Sequence, residues 1–253
     1  MLVAAAVCPC PPLLVPEVAA GAAPELDAAR TACTDALGVL AAARPDLLVV
    51  LGPAERSGRG THPEGTAGSF RGFGVELDVR LGAGMIPSAP GADTIPSAPG
   101  AGAASGRVLP PSLAVAAWLL ERTGWADAPI EGLGVGEPLA AERCTEVGRE
   151  IAARAERVAL LVMGDASACR TLKSPGYLDE RAAPFDAEVA RALGAADVAA
   201  LEALDAELAY ELKVSGRAPW QVLAGAAEGA GLGGRLLYED APYGVGYLVA
   251  TWS

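Results

Sequence analysis

Asp46-Leu-Leu-Val-Val-Leu51, stopped by Gly52-Pro53, and Arg157-Val-Ala-Leu-Leu-Val-Met163, stopped by Gly164-Asp165, are apolar runs of strand length without polar alternation. A strand covered on both faces needs that pattern, so each run predicts a central strand of a sheet flanked by helices. Working outward, Leu2 to Val7 is a further apolar run and Ala22 to Ala43 reads as a helix, which with the Asp46 run makes a β-α-β opening. Helices are expected at Ser112 to Arg122, Leu139 to Ala155, Pro184 to Leu193, Val198 to Tyr210 and Pro219 to Ala227, and closing strands at Gly234 to Glu239 and Val245 to Trp252. The order predicts one α/β domain over residues 1–253, with a central, mostly parallel or mixed sheet flanked by helices. One segment departs from this pattern. Residues 83–106 hold Ile86-Pro-Ser-Ala-Pro-Gly-Ala92 and then Ile95-Pro-Ser-Ala-Pro-Gly-Ala101, a Pro/Gly/Ala repeat that reads as a disordered surface insertion.

The chain has 253 residues, 19 Lys plus Arg against 31 Asp plus Glu, and a net charge of −12, which argues against nucleic acid as a partner. The apolar start, Leu2 to Val15, is broken by Pro9, Pro11 and Pro12 and has no basic flank, so it is read as neither a membrane span nor a signal peptide. A cytoplasmic protein with no membrane partner is the expectation. Five cysteines, an odd number in a chain this long, fit reduced thiols better than a disulfide framework. A homo-oligomer stays open.

The familiar catalytic motifs are absent. Gly132-Leu-Gly-Val-Gly136 misses the dinucleotide spacing, and no phosphate-binding GxxxxGK[ST] loop occurs. Ser167 follows a strand without the GxSxG elbow, and the single histidine, His62, lies in a His-Pro-Glu stretch without the PCxxC partner of zinc deaminases; it reads as a loop histidine. Three thiols invite more weight. Cys8 and Cys10 are two apart in extended chain at the end of the first strand, and Cys169 lies beyond the end of another. Ligands of α/β sheets bind at the carboxyl ends of strands, so the three sulfurs are candidate ligands for a soft ion such as Cu(I) or Zn(II). The alternative is that each is a small buried hydrophobe. At the same rim stand Asp165 and Tyr177 as candidate catalytic groups, Ser167, Arg170 and Tyr243 as candidate substrate contacts, and Glu239 as a candidate carboxylate ligand. Each could equally be a cap or a solvated polar group; Asp165 stands out because it directly follows a buried strand.

Taken together, Val7-Cys-Pro-Cys-Pro-Pro-Leu-Leu-Val-Pro16, Leu48-Val-Val-Leu-Gly-Pro53, Gly164-Asp-Ala-Ser-Ala168, the stretch from Ser174 to Asp186, Pro219-Trp-Gln-Val-Leu-Ala-Gly225 and Ala241-Pro-Tyr-Gly-Val-Gly-Tyr247 resemble the class III extradiol ring-cleavage dioxygenases, a family related to Memo-type proteins. The resemblance implies a single α/β domain with its site at strand ends, holding Fe(II) through two histidines and a carboxylate, with a further histidine as acid/base. This chain departs at those places: Cys10, Ala54 and Ala168 stand where the family has histidine, while Glu239 matches its carboxylate. Fe(II)-dependent ring cleavage is therefore not expected. The leading expectation is a divergent member that keeps fold and crevice and acts as a binding or accessory protein, taking a small molecule or metal there. The second is a Cu or Zn thiolate protein using Cys8, Cys10 and Cys169. The third is an active ring-cleavage dioxygenase, another oxidoreductase, or a metal-free enzyme using Asp165, Tyr177 or Cys10.

Overall fold

A computed structural model describes residues 1–82 and 108–253; the repeat insertion expected at 83–106 lies outside the described residues. The elements in chain order are β1 (Leu2–Cys8), α1 (Pro16–Ala19), α2 (Asp27–Ala42), β2 (Leu47–Pro53), β3 (Gly60–Pro63), β4 (Ala67–Ser69), β5 (Asp78–Arg80), α3 (Pro111–Thr123), β6 (Ile130–Val135), α4 (Ala141–Ala152), β7 (Val158–Met163), α5 (Ala182–Ala195), α6 (Val198–Glu202), α7 (Ala206–Glu211), α8 (Arg217–Ala227), β8 (Gly234–Asp240) and β9 (Tyr247–Trp252). Seven strands form one mixed sheet in the order β3-β6-β2-β7-β1-β9-β8. The four inner strands β6, β2, β7 and β1 run parallel, and β3, β9 and β8 pair antiparallel at the edges. The chain is thus a single-domain α/β fold.

The apolar runs bury both faces because alternate side chains point to opposite sides. Leu48 and Val50 of β2, with Ala159, Leu161 and Met163 of β7, pack on the face covered by α2 and α3. Val49 and Leu51, with Val158, Leu160 and Val162, pack on the face covered by α4, α5 and α8. The chain leaves β1 and β2 toward the first face and leaves β7, which lies between them, toward the second. Loops that part in this way open a crevice at the carboxyl ends of the strands. Among the described residues no helix is long and apolar enough to cross a membrane.

Two expectations need correction. The helix expected over Val198 to Tyr210 is two, because the Asp205 carboxylate accepts hydrogen bonds from the amides of Glu207 (2.8 Å) and Leu208 (3.1 Å) and starts α7 afresh. His62 is not on a loop: it lies on β3, paired with Gly132 of β6, and its buried Nε2 is 2.8 Å from the Gly58 carbonyl oxygen. The Gly132 to Gly136 stretch is largely the strand β6, and its glycines admit this close approach of the chain around β3; a Cβ on Gly134 would lie 2.1 Å from the Gly58 carbonyl oxygen.

Candidate functional site: a cavity at the strand ends

The ends of β1 and β7 are locked side by side. Cys8 pairs with Met163, the Gly164 amide donates to the Cys8 carbonyl (3.0 Å), and two residues further on the Cys10 amide donates to Asp165 Oδ1 (2.8 Å). Pro9 and Pro11 flank Cys10 and hold the chain extended there. From the other side comes the turn before α8. The Ser215 and Gly216 amides donate to the Asp165 carbonyl (3.1 and 3.0 Å), and the Asp165 amide donates to Ser215 Oγ (2.9 Å). This approach requires glycine, since a Cβ on Gly164 would lie 2.4 Å from Gly216 Cα.

In front of this floor lies a cavity of about 690 Å³, within the range of roughly 300–1,000 Å³ typical of small-molecule sites. Cys10 and Ser215 line it on the side of Asp165. Pro53, Leu109, Pro110 and Pro111 supply apolar wall, and Glu55, Ser57 and Val108 also line it. The wall is fixed from β2: Ser112 Oγ, in the first turn of α3, donates to the Pro53 carbonyl (2.7 Å), and Pro110 and Pro111 pre-set the start of that helix.

Asp165 stands directly behind Cys10 and Ser215. It keeps a fraction of its surface, but the protein packed around its carboxyl pushes its pKa up to about 7, opposed only by the Cys10 amide. Burial, reinforced by the neighbouring Asp165 charge and offset by a hydrogen bond with Ser215, holds the Cys10 thiol well above the ordinary thiol range. Tyr247 of β9 is buried at the same place and its phenol is likewise pushed up, first by burial and then by Asp165. The floor is therefore a group of protonated side chains around one carboxyl that titrates near neutrality.

The three candidate sulfurs do not converge. Cys8 packs on the α2 face, hydrogen-bonded to Cys33, and that bond and burial raise its pKa. Cys169 belongs to the opposite core, its thiol donating to the Leu212 carbonyl (3.4 Å) beneath Gly176. Only Cys10 reaches the cavity. The physical reason is that β7 exits toward the second face, so Cys169 follows it there. Glu239 is exposed on the edge strand β8, beside Arg170 and Asp240. Among the described residues no group of three or more His, Cys, Asp or Glu side chains is disposed to hold a metal ion.

Ser167 and Arg170 serve a different centre. The buried Asp186 carboxylate of α5 accepts from the Ser167 amide (2.9 Å), Ser167 Oγ (2.8 Å) and Arg170 (2.9 Å), and ties the loop after β7 to the helix. Tyr243 buries its hydroxyl without a hydrogen bond of regular geometry, beside the Glu25 carboxyl. Tyr177 sits on an exposed turn at φ +67°, away from the cavity lining. Reading the sequence missed Glu55, Ser112 and Ser215. Glu55 had a signal, since it lies just past the Gly52-Pro53 stop of β2 and hence at a strand's carboxyl end; Ser112 and Ser215 are brought in only by tertiary packing.

The cavity is thus formed by chain segments following β1 and β2, the start of α3 and the turn before α8. No family model matches the chain, and no curated protein matches it. Among solved structures, it is similar to the crystal structure of an uncharacterized protein from Escherichia coli K12, with 16% identity over 99% of this chain and 100% of that one and a TM-score of 0.50. That likeness concerns the fold alone.

Proposed function

We propose that this chain is a divergent protein of the class III extradiol dioxygenase type that binds a small molecule in its strand-end cavity and acts as a binding or accessory protein. The observation that carries the reading is the cavity itself: preformed, walled by prolines and leucine, and lined on one side by Cys10 and Ser215, both bonded to Asp165. The Fe(II) implied by the resemblance does not fit the residues present. Cys10, Ala54 and Ala168 supply no imidazole, and His62 is turned to the Gly58 carbonyl.

The test is binding of benzyl alcohol, a neutral aromatic probe, to the parent and to Val108→Trp, a bulky substitution at an exposed lining position. The expected result is saturable binding weakened at least about tenfold in the variant, a loss of roughly 1.4 kcal/mol. Equal affinity in both proteins would remove the cavity from the account. The position of Asp165, one hydrogen bond behind the lining residue Cys10, favours a second reading, metal-free proton transfer. It predicts a ligand chemically converted by the parent and returned unchanged by Asp165→Asn, whereas a binding protein returns it unchanged in both.

A further inference from the structure

Resting on that reading, we infer that the ligand of the strand-end cavity carries a protonated amine beside a compact apolar body. The cavity wall is mostly hydrocarbon and its inner groups are largely committed: Ser112 Oγ donates to the Pro53 carbonyl, and Ser215 Oγ accepts from the Asp165 amide. Glu55 is the one charged side chain among the described lining residues, exposed at the rim, its carboxylate making no hydrogen bond or ion pair among the described residues. Arg56 and Arg59 come from the same turn but do not line the cavity; Arg59 packs against Gly136 and reaches toward the Ala54 carbonyl (3.4 Å).

An anionic ligand would meet Glu55, with no cation among the described lining residues to offset it. A cationic ligand places its apolar part against Pro53, Leu109, Pro110 and Pro111 and its ammonium at Glu55. The net charge of −12 also raises the local concentration of cations over anions.

The experiment compares benzylamine, benzyl alcohol and benzoate, three probes with one ring and different charge, by calorimetry at neutral pH in low salt and in about 0.5 M salt. The amine should bind roughly 2- to 5-fold tighter than the alcohol, the scale of an exposed ion pair, and benzoate more weakly than either. The amine's advantage over the alcohol should vanish in high salt and in Glu55→Gln. Equal affinities for amine and alcohol, or tighter binding of benzoate, would overturn the charge preference and leave the binding reading intact. Absence of binding by all three would overturn both.

Discussion

Asp165 and Asp186 lie on either side of the same loop after β7, both largely enclosed by protein, and their surroundings differ in one respect. Asp186 accepts three hydrogen bonds, two from Ser167 and one from the Arg170 guanidinium, so its charge is compensated where it is buried. Asp165 accepts one, from the Cys10 amide, and its nearest neighbours are a thiol, a hydroxyl and a phenol that add no positive charge. A buried carboxylate surrounded by donors holds a fold together, whereas one left short of them is available for a proton. Burial alone does not separate the two roles; the partners do.

The comparison can be broken most directly at Asp186. Asp186→Ala strands Ser167 and Arg170 without their acceptor and should cost about 3 kcal/mol or more, read as a drop in the urea midpoint. A loss below about 1 kcal/mol would mean that the pair is ornamental.

Asp165 should act in the opposite sense through pH. Its pKa is higher folded, about 7, than the ordinary 3.8, so the native state holds the proton longer than the unfolded chain. That contribution is whole below about pH 4 and is lost as pH rises through about 7. Because the carboxyl keeps some solvent contact, the expected fall in stability across this window is about 2 kcal/mol. Asp165→Asn, which retains an acceptor for the Cys10 amide, should flatten the profile; parallel profiles for parent and variant would show that Asp165 ionises normally.

The backbone beneath Asp165 offers a third variant. Gly164→Ala forces a Cβ against Gly216 and should cost about 1–3 kcal/mol, since neither backbone can yield. An unchanged midpoint would mean that the Asp165 floor is looser than the hydrogen bonds of Ser215 and Gly216 indicate.

The sequence made the inner sheet legible where burial is two-sided. The apolar runs of β1, β2 and β7 announce themselves, but β6 hides behind Gly132 and Gly134, present for the close approach of β3 rather than for a turn. The site was legible only at its strand end. Asp165 could be singled out because it follows β7, and Cys10 because it follows β1. Ser167 and Arg170 looked like equal members of the rim, and nothing local to them points to Asp186, which arrives from α5. Likewise, the spacing of Cys8, Cys10 and Cys169 could not reveal that the loop after β7 departs to the opposite face, which is what scatters the sulfurs.

A map of backbone amide NMR shifts on titration with benzyl alcohol separates the two aspartate regions. The account predicts saturable shifts at Cys10, Gly58, Ser112 and Ser215, around the cavity, with Ser167, Arg170 and Asp186 unmoved. Shifts centred on Ser167, Arg170 and Asp186, or none at the cavity at saturating probe, would contradict it.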